Sequence, residues 1–196
     1  TPGVPDFFQG SELWDLRLVD PDNRQPVDFP ARAASLQNLA RAAPESLKSS
    51  SHHQNELWND GHIKLWLIRK TLQYRQTHAA LFAEGELLPA EVRGPAAENI
   101  LAFFRHHENA WALVVIPRWL AKTLLRPGTP IPSSIPFSQI SDLFQDTHIA
   151  LPQHAPERWR SVLLDTLVSS AKTSRPSKTL HVKHLLADFP FALYAA

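Results

Sequence analysis

Pro2-Gly3-Val4-Pro5-Asp6-Phe7-Phe8-Gln9-Gly10-Ser11-Glu12-Leu13-Trp14-Asp15 opens the chain, and Asp20-Pro21-Asp22-Asn23-Arg24-Gln25-Pro26-Val27-Asp28 follows it closely. Pro-Gly-x-Pro is a turn signal, because proline presets φ and glycine tolerates the sharp backbone bend. Phe7-Phe8 reads as a short buried strand, and Gly10 ends it. The loop beyond carries acids, a tryptophan and an arginine. A strand placed five residues into a chain has no earlier partner. Its neighbours are expected from later residues or from polypeptide outside this sequence.

The wording of that stretch resembles the eighth strand and following loop of the α-amylase-type glycoside hydrolases. Their Gly-x-Pro-x-x-x-x-Gly-x-Glu pattern is met by Gly3, Pro5, Gly10 and Glu12, and their Asn-Arg-x-Pro by Asn23, Arg24 and Pro26. Within the clan, Pro-Asp-Phe-Phe-Gln-Gly-Ser-Glu-Leu-Trp-Asp and Val-Asp-Pro-Asp-Asn-Arg are similar to the maltooligosyltrehalose synthase family. Trp58-Asn59-Asp60-Gly61-His62-Ile63-Lys64-Leu65-Trp66-Leu67 is similar to that family's last barrel helix. The resemblance covers the first 75 or so residues well and the rest loosely.

Composition sets outer bounds. The 196 residues suffice for one large or two small domains, and 43% of them are hydrophobic, enough for a real core. A formal charge of +1, with no Lys/Arg run longer than two, argues against a nucleic-acid partner. The absence of cysteine excludes disulfides and thiol catalysis, and fits a reducing, cytoplasmic setting. The longest apolar run, Ala110 to Ile116, is too short to span a bilayer, so no membrane partner is expected. The sequence has no methionine, even at position 1, and no secretory signal opens it. Combined with an eighth-strand motif at the start, this makes a C-terminal fragment of a larger enzyme the expected reading, since such a barrel needs seven earlier strands.

Along the chain, Asp28 is placed to cap a helix with Pro30 in its first turn. Leu36, Leu39, Ala40 and Ala43 recur at helical spacing, and Pro44 stops the helix. Residues 45–54 are polar and serine-rich, with the texture of a loop. Asp60 or Asn59 caps a second helix, Gly61 to Thr77. Ile63, Trp66, Leu67 and Tyr74 cluster on one side of it, and Leu65, Ile68 and Leu72 lie nearly opposite. A helix apolar on two faces is expected between two layers. The resemblance supplies both, a barrel wall and a C-terminal domain.

From Ala79 the texture becomes short apolar runs between turn residues: Ala79–Ala83, Leu87–Val92, Asn99–Phe104, Ala110–Ile116, Thr147–Leu151, Trp159–Val168, Lys178–Leu185 and Phe191–Tyr194. That spacing predicts an antiparallel sandwich. His106-His107-Glu108-Asn109 reads as the clearest hairpin loop. Arg118 to Leu125 reads as a short helix, and the proline-rich Arg126 to Phe137 as an irregular loop. The expected fold is α+β. Residues 1–77 form the last strand and helices of a (β/α)8 barrel, and 78–196 an all-β, antiparallel C-terminal sandwich.

No catalytic residue is assigned in this chain. Retaining glycosidases of the clan need a nucleophile and an acid/base flanking the scissile bond, about 5–5.5 Å apart. The resemblance places those acids after earlier strands, and none of their motifs occurs here. Substrate-binding candidates are Phe8, Gln9, Glu12, Trp14 and Asp15, in a loop on the face where barrel active sites form. For Glu12 and Asp15 the preferred reading is structural: Glu12 accepts loop amides or pairs with Arg24. The other reading has both lining a sugar cleft. Phe8 and Trp14 are either core aromatics or glucose-stacking platforms, and Gln9 is weighed likewise.

The ten histidines raise a metal site. His52-His53 and His106-His107 are adjacent pairs that cannot easily face one ion. His181 and His184, three apart in an expected strand, point to opposite faces. No zinc spacing is present, so no metal is assigned. Arg69, Lys70 and Arg75 read as a solvated or salt-bridged helix edge rather than an anion site.

The family resemblance implies a reaction. The parent enzyme converts the reducing-end α-1,4 linkage of a maltooligosaccharide to an α,α-1,1 linkage by intramolecular transglycosylation. No cofactor is implied. The partners are the sugar substrate and the upstream barrel of the same parent chain, and the fragment alone is expected to be inactive. The alternatives are a glucan-binding or purely structural β-sandwich module, or part of another α-amylase-clan hydrolase.

Overall fold

A computed structural model describes residues 8–17, 25–41, 59–125, 137–171 and 178–196. The chain divides into two compact units, Thr1–Gln73 and Tyr74–Ala196.

In the first unit, residues 9–12 form a turn closed by the Ser11 N–H and hydroxyl, which both donate to the Phe8 carbonyl. Phe8, expected in a short buried strand, is instead 59% exposed at the edge of this turn. Its neighbour Phe7 lies outside the described residues. Helix α1, Phe29–Arg41, starts where a proline in the first turn costs no hydrogen bond, and the Ala31 N–H donates to Asp28 Oδ1 at 2.9 Å. Leu39 faces inward at 7% exposure, while Leu36 is largely exposed. Pro44 and residues 45–54 lie outside the described residues.

Helix α2, His62–Thr77, is capped by Asp60, whose Oδ1 accepts the His62 N–H at 2.9 Å. Ile63, Leu65 and Trp66 are all buried, although Ile63 and Leu65 point to different sides. Its first turn is therefore enclosed on both faces. Further along, Leu67 and Ile68 are half-buried and Leu72 is exposed, so the two-sided burial expected over the whole helix holds only near its start.

The second unit takes in the end of α2 from Tyr74, and its first complete element is α3, Ala79–Ala83. This segment was expected as a strand. Its helical form is held by a tertiary contact: buried Arg105 donates from Nε and Nη2 to the Leu81 carbonyl and from Nη2 to the Phe82 carbonyl. Those are among the carbonyls a helix end leaves unpaired.

Among the described residues nine strands follow: β1 Glu86–Pro89, β2 Val92–Arg93, β3 Ile100–His107, β4 Ala110–Pro117, β5 His148–Ala150, β6 Arg158–Ser161, β7 Leu167–Ser169, β8 Thr179–His181 and β9 Ala192–Ala195. They make a six-stranded sheet, β1-β3-β4-β9-β6-β7, and a three-stranded sheet, β2-β5-β8. Every pairing is antiparallel.

The β3–β4 hairpin keeps register up to His107↔Ala110, leaving a two-residue turn at Glu108-Asn109. Glu108 takes φ 53°, the left-handed backbone such a turn demands. The expected loop is thus shorter than His106–Asn109. On alternate positions, β3 turns Ile100, Ala102 and Phe104 inward, and β4 turns Trp111, Leu113 and Val115 inward. Ile149 and Leu180, register partners on the smaller sheet, join the same core with Phe144, Trp159, Val182, Leu186 and Tyr194. Each large apolar side chain so enclosed contributes about 1.5–3 kcal/mol relative to exposure. The two sheets thus share one apolar interior.

Three expected strands are corrected. Leu87–Val92 is two strands in different sheets, β1 pairing with β3 and β2 with β5. Pro89, which has no N–H to donate, ends the first. Trp159–Val168 folds into β6 and β7 through a turn in which Asp165 takes φ 60° and its N–H donates to the Ser161 carbonyl. Lys178–Leu185 becomes β8 followed by a helical turn, Val182–Leu185. With short helices also at Ala121–Leu124 and Phe137–Asp142, the second unit is mixed rather than all-β. Residues 126–136 of the expected irregular loop lie outside the described residues.

Candidate functional site

The opening loop and the helix starts of the first unit converge on two carboxylates. Glu12 Oε2 accepts the Gly10 N–H at 3.0 Å and Arg32 Nε at 3.2 Å. The same Arg32 guanidinium donates to the carbonyls of Gly10 and Asp28. It sits in the first turn of α1 because Asp28 and Pro30 set where that helix begins. The partner expected for Glu12, Arg24, lies outside the described residues. The observed partner is Arg32.

Asp15 is gripped by Arg17 through both carboxylate oxygens, and its Oδ1 also accepts the Arg17 backbone N–H. Those side-chain hydrogen bonds, then the backbone one, hold the Asp15 carboxyl down at about 2. Asp15 is therefore ionised at neutral pH and cannot donate a proton to a leaving group. Arg17 reaches on to the Gln25 carbonyl at 3.4 Å. Each acid is thus committed to an arginine and to nearby backbone, an arrangement that braces a loop.

The aromatic and amide candidates face outward. Trp14 is 43% exposed, and Lys64 Nζ lies 5.4 Å from its ring centroid. Lys64 also donates to the Leu13 carbonyl at 3.5 Å. Gln9 is exposed. The loop rests closely on the start of α2. Gly61 has φ +79°, and a Cβ built there would lie 2.6 Å from the Trp14 backbone nitrogen. Only glycine combines that backbone with that approach.

The structure brings together Glu12 with Arg32, Asp15 with Arg17, and Trp14 with Lys64. Sequence reading named the acids and the tryptophan and missed all three cations. The i+2 spacing of Asp15 and Arg17 was the one local signal. Arg69, Lys70 and Arg75 form no salt bridge among the described residues; Arg75 is exposed, and Arg69 and Lys70 are half-buried.

The histidine reading needs one correction. His181 and His184 do not diverge: the chain turns from β8 into a helix after His181, and the two rings lie 5.5 Å apart. His148, the register partner of His181, lies 5.8 Å from it. Among the described residues, however, no group of three His, Cys, Asp or Glu is placed to hold a metal ion. No described helix is long and apolar enough to cross a membrane.

Comparison with known proteins bears out the resemblance read from the sequence. No family model matches the chain. Two curated relatives, both "Putative maltooligosyl trehalose synthase" from Mycobacterium tuberculosis strains CDC 1551 / Oshkosh and H37Rv, are each 37% identical over 121 residues. The match takes in 62% of this chain and 13% of each relative, so the chain spans only a small part of their length. Among solved structures, a point mutant of maltooligosyltrehalose synthase from Arthrobacter ramosus superposes with a TM-score of 0.66 at 28% identity. It covers 99% of this chain and 20% of that one.

Proposed function

We propose that this chain is a portion of a maltooligosyltrehalose synthase of the α-amylase clan. The observation that carries this reading is the solved synthase, which aligns with 99% of the chain while 80% of its own length lies elsewhere. On this reading residues 1–77 are the closing part of the catalytic (β/α)8 barrel, and 78–196 are a C-terminal antiparallel domain of sandwich type. The parent acts on maltooligosaccharides and turns the reducing-end α-1,4 linkage into an α,α-1,1 linkage by intramolecular transfer.

In that scheme the nucleophile and the acid/base belong to other strands of the parent barrel, because barrel sites are assembled from several strand ends. Glu12 and Asp15 shape the last loop instead. Arg32 and Arg17 hold it so that exposed Trp14, Phe8 and Gln9 can meet a sugar ring and its hydroxyls. A rigid loop over the cleft also limits water, which would otherwise divert the transfer to hydrolysis.

The test is product analysis. The parent protein, given maltopentaose, should form a non-reducing trehalose-ended product with little free glucose. This chain alone should form neither. Glucose and shorter maltooligosaccharides as the main products of the parent would place it among the clan's hydrolases. Turnover by the isolated chain, abolished by Glu12→Gln or Asp15→Asn, would overturn the loop-bracing role.

A further inference from the structure

Trp119 is the most exposed tryptophan among the described residues, at 61%, and it stands in left-handed backbone at φ 57°. A bulky side chain rarely occupies that region, because its Cβ crowds the neighbouring carbonyl. The surroundings impose it. The Arg118 N–H donates to the Asn99 carbonyl at 2.8 Å, Arg118 Nε to the Glu98 carbonyl at 2.9 Å, and Asn99 Nδ2 back to the Arg118 carbonyl at 3.3 Å. These bonds lock the end of β4 onto the 3-10 turn Ala97–Asn99 that precedes β3. The Arg118 guanidinium sits 4.0 Å from the centroid of the Trp119 ring.

We propose that Trp119 is a glucan-stacking platform of the second unit and that it takes a glucose ring of a maltooligosaccharide. A pyranose presents axial C–H groups on a flat face and hydroxyls at its rim. It is matched by an exposed indole with planar polar groups beside it. Trp119 supplies the plane. Arg118, whose terminal nitrogens make no hydrogen bond among the described residues, supplies donors, and the Glu98 carboxylate and Asn99 Oδ1, likewise uncommitted among the described residues, supply acceptors. Holding a costly backbone in order to present an apolar ring to water is a local conflict of the kind that marks binding sites. The choice of an α-glucan rests on the reading under Proposed function.

The experiment is affinity electrophoresis and calorimetric titration of the whole chain with maltoheptaose, comparing wild type, Trp119→Ala, Trp119→Gly and Leu167→Ala. Wild type should bind in the millimolar range or tighter. Trp119→Ala should weaken binding at least tenfold, and Leu167→Ala, which removes another exposed apolar side chain of the same unit, should leave it within twofold. Trp119→Gly should lose binding while raising Tm, because glycine relieves the left-handed backbone; a purely structural tryptophan would not separate the two. Undiminished binding by Trp119→Ala, or no binding by wild type at 10 mM sugar (about the weakest affinity such a site would show), overturns the platform. Neither outcome bears on the product assay of the parent, so the two readings fail independently.

Discussion

Glu12 and Arg32, twenty residues apart, are joined by a 3.2 Å ion pair, and the same guanidinium also holds the carbonyls of Gly10 and Asp28. One side chain thus ties the opening loop to the N-terminal turn of α1. Both partners keep some solvent contact, at 19% and 33% exposure, so the pair itself is worth well under its value in a dry interior.

Arg32→Ala should lower the unfolding free energy by about 1–2 kcal/mol, from the lost pair and two carbonyl hydrogen bonds. Arg32→Lys should recover only part, since one ammonium cannot reproduce the planar fork. Urea unfolding curves read this directly. An unchanged midpoint for Arg32→Ala would show that the loop is held by its own turn.

Asp15 makes a prediction in acid. Its carboxyl lies at about 2 in the folded chain, through hydrogen bonds from Arg17, against an ordinary value of 3.8. The folded state therefore binds fewer protons than the unfolded one between those values. The contribution is present above about pH 4 and disappears as pH falls toward 2. Asp15→Asn should flatten stability against pH in that window alone. A titration midpoint near 4 for the Asp15 carboxyl, followed by NMR, would contradict the Arg17 clamp.

Gly61→Ala should be among the most damaging small substitutions in the first unit. The new methyl would lie 2.6 Å from the Trp14 nitrogen, on a backbone at φ +79°. Strain and displacement of the loop together should cost about 1–3 kcal/mol. Trp14 should also become more accessible to a fluorescence quencher. Wild-type stability with unchanged quenching would mean that the loop does not rest on Gly61.

Tyr194 makes the opposite prediction in base. Burial, with a smaller push from Asp188, raises its phenol to about 12 from an ordinary 10.0, and its hydroxyl donates to the Leu185 carbonyl at 3.4 Å. Here the folded state holds its proton longer than the unfolded one. Stability present below pH 10 should fall as pH rises from 10 toward 12. Tyr194→Phe should remove that part of the alkaline decline. An identical decline in both proteins would place its origin elsewhere.

The sequence by itself determined what depends on near neighbours and on apolar period. Asp28 before Pro30 located the start of α1, and Asp60 located α2, because a cap needs only a side chain two or three residues from an orphan N–H. Alternation on either side of Glu108-Asn109 located the β3–β4 hairpin for the same local reason. The family wording around Gly10-Ser11-Glu12 and Trp58-Asn59-Asp60 was also legible, and the similarity to maltooligosyltrehalose synthases bears it out. Tertiary structure alone decided the rest. Ala79–Ala83 is helical because Arg105, more than twenty residues later, satisfies its last carbonyls. Glu12 meets Arg32 because the start of α1 folds back on the loop. His181 and His184 converge because the chain leaves β8 for a helix. Trp119 stands exposed because distant Glu98 and Asn99 fix the backbone before it. In each case a group far along the chain supplies the hydrogen bond or charge that selects the conformation, and no local propensity encodes which distant group that is.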